Sequence, residues 1–202
     1  AMVLKRMMRR HSRAQSVALV ERLKMARPEI AIGADLIAGF PTEDEAMFAN
    51  TLALIDDCDI VHAHIFPYSP RDGPPAARMP LVAPGVVKAR AAALRERAAA
   101  RRVVWLDSLV GTRQSILVER PGDRGHAGNF AEVRLSRSAP VGTILQVEIT
   151  KVTNSSLLAT PCHPGLVPGS TSQLGNAQEP PVHASTHGGS RHKAGVRKAV
   201  EA

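Results

Sequence analysis

The amino-acid sequence predicts an α/β segment over residues 1–110, a small antiparallel β-barrel over 111–160 and a disordered tail over 161–202. Three observations carry this prediction. Two short apolar runs alternate with two helical patterns in the first half, which implies right-handed βαβ units around a parallel sheet. From Gly111 onward, short runs of alternating polarity are separated by turn residues, the pattern of a small barrel. After Thr160 the chain holds no aromatic residue, no Ile and no Met, and is rich in Gly, Pro, Ser and His. Such a stretch cannot bury enough apolar area to offset its ordering entropy.

The elements follow in order. Residues 2–11 read MVLKRMMRRH. Ser12 stands where a helix N-cap belongs, and Ala14, Val17, Ala18, Leu23 and Ala26 recur at helical spacing. Pro28 stops that helix by restricting Arg27 and removing a donor. Residues 30–40, IAIGADLIAGF, are apolar and bounded by prolines, so they read as a buried strand. Thr42 is expected to cap the next helix, with Glu45 at the capping-box distance and acids at the positive end of the dipole. Phe48, Leu52 and Ile55 then form its buried face. Residues 59–69 are a second strand, followed by the loop SPRDGPPAARMP. Pro84 begins a long Ala/Arg helix reaching about Asp107. Its Lys88, Arg90, Arg95, Arg97, Arg101 and Arg102 read as a solvated outer face. Two parallel strands are too few for an independent sheet, so further strands are expected upstream. The barrel strands are expected at 114–119, 130–135, 144–152 and 157–159, with turns at Pro121-Gly122-Asp123, Gly125 and Pro140.

Composition narrows the function. The chain has 202 residues, 26 Lys and Arg against 18 Asp and Glu, and a formal net charge of +8. That length buries one moderate core, or a partial domain plus a small one. Aromatics make up only 3% of residues, so Ala, Val, Leu and Ile must build the core. No apolar run approaches the roughly 20 residues that span a bilayer, and no leader pattern opens the chain. A cytoplasmic protein with no membrane partner is expected. Residue 1 is Ala, consistent with a piece of a longer protein. The two cysteines, Cys58 and Cys162, are too few for a disulfide framework and lack metal-ligand spacing. Cys58 reads as a small buried hydrophobe at a helix end. The excess of Arg suits an anionic partner, or else a solvated basic surface. Nothing in the sequence speaks to oligomeric state.

Three blocks carry a more specific signal. From Met2 the sequence MVLKRMMRRHSR resembles the MiaB-like methylthiotransferases, radical-SAM enzymes that add a methylthio group to tRNA adenosine or to a ribosomal protein. Ala34 to Glu43, ADLIAGFPTE, is close to the family's D-I-I-x-G-F-P-G-E-T, with Thr42 for Gly and Asp44 for Thr. His64 to Gly73, HIFPYSPRDG, resembles the family's H-x-F-x-Y-S-x-R-x-G, with Pro74 departing from Thr. Further on, VGTRQSILVER and GHAGNFAEVRL resemble the start of the TRAM domain in the branch acting on threonylcarbamoyladenosine. The resemblance covers about residues 2–160. The remainder, with CHPGLVPGS and RHKAG, looks like translated repeat DNA of the kind found between bacterial genes.

The resemblance implies the C-terminal part of a radical-SAM partial (β/α) barrel, then a TRAM-type, OB-like barrel. It implies S-adenosylmethionine and two 4Fe-4S clusters in the intact family, each cluster held by three cysteines, with the tRNA anticodon region as partner. Such a cluster reduces S-adenosylmethionine to a 5′-deoxyadenosyl radical that takes hydrogen from C2 of the modified adenine, while the second takes part in sulfur delivery. Thiolates hold iron and tune its potential. With two cysteines 104 positions apart, this chain is expected to assemble no cluster, to hold no metal and to be inactive alone. No residue is assigned a catalytic step.

What remains is part of a cofactor pocket. Arg9 is a candidate partner for the methionyl carboxylate, or else one member of a basic run. Asp35 and Glu43 are candidates to orient polar groups of S-adenosylmethionine. Read plainly they are a strand-end charge and a helix-N-terminal acid, the reading favoured for Glu43. Gly39 admits close backbone approach to a ligand, and Tyr68 and Arg71 fall at the second strand's end. His62 and His64 share one strand face and read as barrel-lining or buried polar residues. For RNA the candidates are Arg113, Arg120, Phe130, Arg134, Arg137 and Lys151. Phe130 is the one aromatic available to stack, although filling the barrel is the favoured alternative. The other functional reading is a non-catalytic RNA-binding module, or a relative acting on isopentenyl-adenosine or a ribosomal protein. A pseudogene-like product without stable function is the third.

Overall fold

The structure, a computed structural model, describes residues 2–71, 73–153 and 156–162. Its first half runs α1 (Met2–Arg6), α2 (Arg13–Ala26), β1 (Ile32–Ala38), α3 (Glu45–Asp57), β2 (Ile60–Pro67), a 3-10 turn (Pro75–Arg78) and α4 (Pro84–Ser108). The strands β1 and β2 pair in parallel, Asp35 opposite His64 and Ile37 opposite Phe66. One face carries Ile32, Ala34, Leu36 and Ala38 of β1. They pack with Val17 and Val20 of α2, Ile55 of α3 and Leu94 of α4 around a first core. The helices thus cover a single face, as consecutive crossovers of one hand require.

Local chemistry sets the helix ends. Ser12 caps α2 as expected. Its hydroxyl accepts from the Gln15 amide at 3.2 Å, and its own amide donates to Gln15 Oε1 at 2.8 Å. Thr42 does not cap α3. It lies at φ 66°, outside the extended geometry a cap needs, and Asp44 takes the role by accepting from the Met47 amide at 2.7 Å. The basic face of α4 is largely engaged, not solvated. Arg90 is buried, Arg97 pairs with Asp56, Arg101 with Asp59, and Arg102 reaches β2.

The second half is a closed barrel in the order β3-β4-β5-β7-β6, formed by Arg113–Glu119, Arg124–Ala127, Glu132–Leu135, Ser156–Pro161 and Ile144–Thr153 respectively. It differs from the expected barrel in three ways. Gly125, read as a turn residue, lies inside β4, which pairs on both sides. Strand β5 starts at Glu132, after Phe130. The neighbours β5 and β7 run parallel, so the barrel is not wholly antiparallel. Pairing also extends past Thr160: Pro161 sits opposite Val147, and the Cys162 amide donates to Gln146 at 2.9 Å. The rest of the tail predicted over 161–202, from 163 onward, lies outside the described residues.

The barrel core is continuous with the helical half. Ile116, Val118, Val133, Val147, Ile149 and Leu157 fill it, and Val61 of β2 with Trp105, Leu106 and Leu109 of α4 belong to the same cluster. No helix among the described residues is long and apolar enough to cross a membrane.

Candidate functional site

The sheet face opposite the helices presents Gly33, Asp35 and Ile37 of β1 with His64 and Phe66 of β2. Two cavities meet there. The larger, about 760 Å³, is lined by residues of α1, α2, β1 and α3 and includes Arg9, Asp35 and Glu43. The smaller, about 520 Å³, is lined by Arg9, Asp35, Tyr68 and Arg71 among others. Four of the six residues expected for the cofactor therefore line the smaller cavity, and Glu43 lines the larger. Arg9 and Asp35 are exposed and border both cavities. Among the described residues Arg9 has no ion-pair partner. Tyr68 is held by its amide, which donates to the Ala38 carbonyl at 2.8 Å, and by the Phe40 ring, edge-on at 5.4 Å.

Gly39 and Glu43 have other work. Gly39 turns the chain at φ 72° and packs on α4, where an added Cβ would lie 2.5 Å from Val87 Cγ2. It borders neither cavity. Glu43 precedes the cap of α3, and its side chain is 2% exposed. The carboxylate accepts from the Gly39 amide at 2.9 Å and from Arg90 Nη1 at 3.0 Å. Glu45, not Glu43, takes the first-turn acid position of α3, and Glu43 still lines the larger cavity. It is half of an internal ion pair that fixes the turn at the end of β1. The sequence reading also missed His11, which lines the larger cavity.

His62 joins the halves. Arg102 Nη1 donates to Nδ1 at 2.8 Å, so the ring proton resides on Nε2 and is donated to the Asn129 carbonyl at 3.0 Å. The Trp105 ring lies edge-on at 5.1 Å. Burial pushes the His62 pKa down, the Asn129 bond opposes this, and the charges of Arg102 and His64 reinforce it. Because the folded value lies below 6.5, the unfolded chain binds more protons as pH falls through that point. The His62 contribution is therefore complete above about 6.5 and is lost as pH falls toward the depressed folded value. His62→Gln should reduce the fall of the thermal midpoint as pH drops below about 6.5 relative to the parent chain. Parallel curves would remove His62 as the cause.

The RNA candidates split. Arg124, Arg134, Leu158 and Lys151 are successive register partners across β4, β5, β7 and β6, so they form one transverse row. Arg134 and Lys151 are exposed, and Arg124, which the sequence reading passed over, is half-exposed. Arg124 and Asp123 are paired at 3.1 Å, and each raises or lowers the other's pKa accordingly. Arg113 lies opposite Glu148 at the barrel end that carries the β4–β5 turn, whereas Arg120 and Arg137 lie at the other end. Phe130 does not fill the barrel: it is 75% exposed at φ 62° in that turn. A non-glycine residue in the left-handed region costs roughly 1 kcal/mol. Among the described residues no group of three or more His, Cys, Asp or Glu side chains is placed to hold a metal. Cys58 is buried at the end of α3, where burial raises its pKa, and Cys162 ends the barrel sheet. A cluster needs several thiolates at one point, so this donor set does not fit one.

No protein-family model matches the chain. It is 40% identical over 151 residues to the threonylcarbamoyladenosine tRNA methylthiotransferase MtaB of Rickettsia prowazekii, covering 75% of this chain and 36% of that protein. It is 35% identical over 163 residues to the tRNA-2-methylthio-N(6)-dimethylallyladenosine synthase of Roseobacter denitrificans, covering 78% and 37%. The chain thus spans little more than a third of the length of either relative. The matched stretch of this chain belongs to the MiaB-like methylthiotransferase family.

Proposed function

We propose that the chain is the C-terminal part of a cytoplasmic tRNA methylthiotransferase that modifies C2 of threonylcarbamoyladenosine beside the anticodon. In this reading residues 1–110 are the end of a radical-SAM partial barrel and 111–160 a TRAM-type, OB-like RNA-binding barrel. The observation that carries it is the convergence of Arg9, Asp35, Tyr68 and Arg71 where the two cavities meet. These side chains fit S-adenosylmethionine. Arg9 offers a bidentate partner for the methionyl carboxylate, Asp35 an acceptor for its ammonium or ribose hydroxyls, and Tyr68 and Arg71 polar contacts at the end of β2. S-adenosylmethionine supplies the radical precursor when an intact enzyme binds it. Without a thiolate set, this chain makes no methylthio-adenosine by itself. Mass spectrometry of tRNA incubated with chain, S-adenosylmethionine and reductant tests that statement, and product would refute it.

The barrel accounts for RNA. The row Arg124, Arg134 and Lys151 follows a phosphate backbone, and Phe130 offers a face for a base. Three phosphate contacts to a single-stranded loop give a log–log salt slope of about −2, so affinity should fall roughly 20-fold between 50 and 200 mM salt. Arg134→Ala with Lys151→Ala should flatten that slope to about −0.7. Phe130→Ala should weaken binding by about 1–3 kcal/mol with the slope unchanged. A flat salt response in the parent chain would sink the electrostatic reading. The exposed aromatic also supports a second reading, a barrel that binds RNA without catalysis. Restoring the missing part and finding tRNA bound but unmodified would favour it.

A further inference from the structure

We propose that His62 is a positioning residue for RNA binding: from β2 it holds the Asn129 carbonyl, and so keeps Phe130 turned outward for a base to stack on. The proposal rests on the reading of Phe130 as an RNA contact. Phe130 stands in the β4–β5 turn, 75% exposed and at φ 62°. Local preference opposes both facts. The left-handed region suits glycine, and a phenyl ring in water forgoes the burial that aromatic side chains normally gain. A non-glycine residue persists at such an angle where its surroundings over-determine it, and such residues cluster at ligand clamps.

The surroundings do so here. The stems of the turn are rooted, since Ala127 and Ala131 belong to the barrel core and the Ala127 amide donates to the Ala131 carbonyl at 3.0 Å. Packing does not hold the apex, because a Cβ at Gly128 would meet nothing within 4 Å. Hydrogen bonds hold it instead. The Asn129 side chain accepts from the Ala131 amide at 3.1 Å. The peptide joining Asn129 to Phe130 is held at both ends: its N–H donates to the Ala127 carbonyl at 2.9 Å, and its carbonyl accepts from His62 Nε2 at 3.0 Å. A peptide is planar, so fixing these two atoms fixes the plane from which the Phe130 side chain departs. Of these bonds only the one from His62 comes from outside the barrel.

His62 is itself held. Arg102 donates to its Nδ1 at 2.8 Å, the Trp105 ring lies edge-on at 5.1 Å, and the Arg102 guanidinium lies 5.6 Å from the Trp105 ring centre. A guanidinium keeps its protons, so Nδ1 must accept and Nε2 must donate. Cohesion between the two halves already comes from the shared core, where Val61, Leu106 and Leu109 meet the barrel residues. The His62 bond adds direction to that cohesion.

Fluorescence anisotropy of a labelled anticodon stem-loop RNA tests this on the whole chain. Phe130→Ala should weaken binding about 5- to 150-fold. His62→Leu, which fills the space without a donor, should weaken it by a comparable factor with the salt slope unchanged. The two together should lose no more than Phe130→Ala alone. His62→Gln should restore parent affinity, since its amide group can accept from Arg102 and donate to Asn129. Hydrogen exchange supplies a readout independent of RNA. The Phe130 amide should exchange at least about tenfold faster in His62→Leu while the amides of β6 keep their protection. Parent affinity in His62→Leu, additive losses in the double variant, or unrestored affinity in His62→Gln would overturn the proposal and leave the RNA reading standing. So would loss of protection in β6 together with Phe130, because His62 would then hold the barrel as a whole. Parent affinity in Phe130→Ala would instead strike the stacking reading, and this proposal with it.

Discussion

Glu43→Ala is expected to cost the fold about 3–5 kcal/mol, although the residue stands outside any helix or strand. Arg90 is 6% exposed, and three of its contacts converge on this corner: the Glu43 carboxylate at 3.0 Å, the Glu43 carbonyl at 2.9 Å and Glu45 at 2.5 Å. Its guanidinium also lies 5.3 Å from the Phe48 ring centre. Burial works against the Arg90 charge, and the carboxylates of Glu45 and Glu43 outweigh it, raising its pKa. Deleting Glu43 leaves that charge facing Glu45 alone, whose side chain is 82% exposed and screened by water. It also frees the Gly39 amide, so the turn at the end of β1 loses its anchor. Replacing both partners by apolar residues of similar volume, Glu43→Leu with Arg90→Met, should recover most of the loss. Urea unfolding of the two single variants and the double variant measures the coupling. If the double variant loses as much as the two singles added together, the pair is not coupled.

Gly125→Ala should be equally damaging, at or beyond the upper end of the ~1–3 kcal/mol that overpacking usually costs. A Cβ at this position would lie 1.9 Å from the Leu117 carbonyl oxygen and 3.2 Å from Val118 Cα. Both are backbone atoms of β3, so no rotamer change relieves the clash, and β3 and β4 must part. Gly128→Ala is the matched control, since a Cβ there meets nothing within 4 Å. The single tryptophan reports the result. Trp105 is 8% exposed against the barrel core, so its fluorescence should shift to the red in Gly125→Ala and stay unchanged in Gly128→Ala. A native spectrum and midpoint in Gly125→Ala would mean that the barrel tolerates the wider spacing.

The same glycine shows why part of the fold was legible in the sequence and part was not. Strands β1 and β2 announce themselves as apolar runs between prolines and helical patterns, because burial of a parallel sheet demands such runs. Strand β4 is RGHA, four residues with little apolar character. Its place in the barrel is dictated by a close approach to β3, which in sequence looks like a turn. Thr42 and Asp44 are equally good caps on paper, and only the backbone angle at Thr42 decides between them. At the site, Asp35, Tyr68 and Arg71 fall in the motif blocks on or just after the two strands and Arg9 in the basic run before α2, and the fold brings all four to the smaller cavity. The fate of Glu43 was not legible, since its partner lies 47 positions away. Phe130 likewise hinges on a left-handed turn that no spacing rule signals. The row across four strands depends on register, which is how Arg124 escaped notice.

The shared core has a practical corollary for dividing this protein. The composition changes at Gly111, which invites a cut there, but Val61, Trp105, Leu106 and Leu109 sit among the barrel's own Val133, Val147 and Leu157. Scission at that point would not liberate two modules. It would tear one hydrophobic interior in half and leave the last turns of α4 greasy and the barrel without a plug. Grafting the barrel onto another scaffold therefore means carrying the end of α4 and a substitute for Val61 along with it.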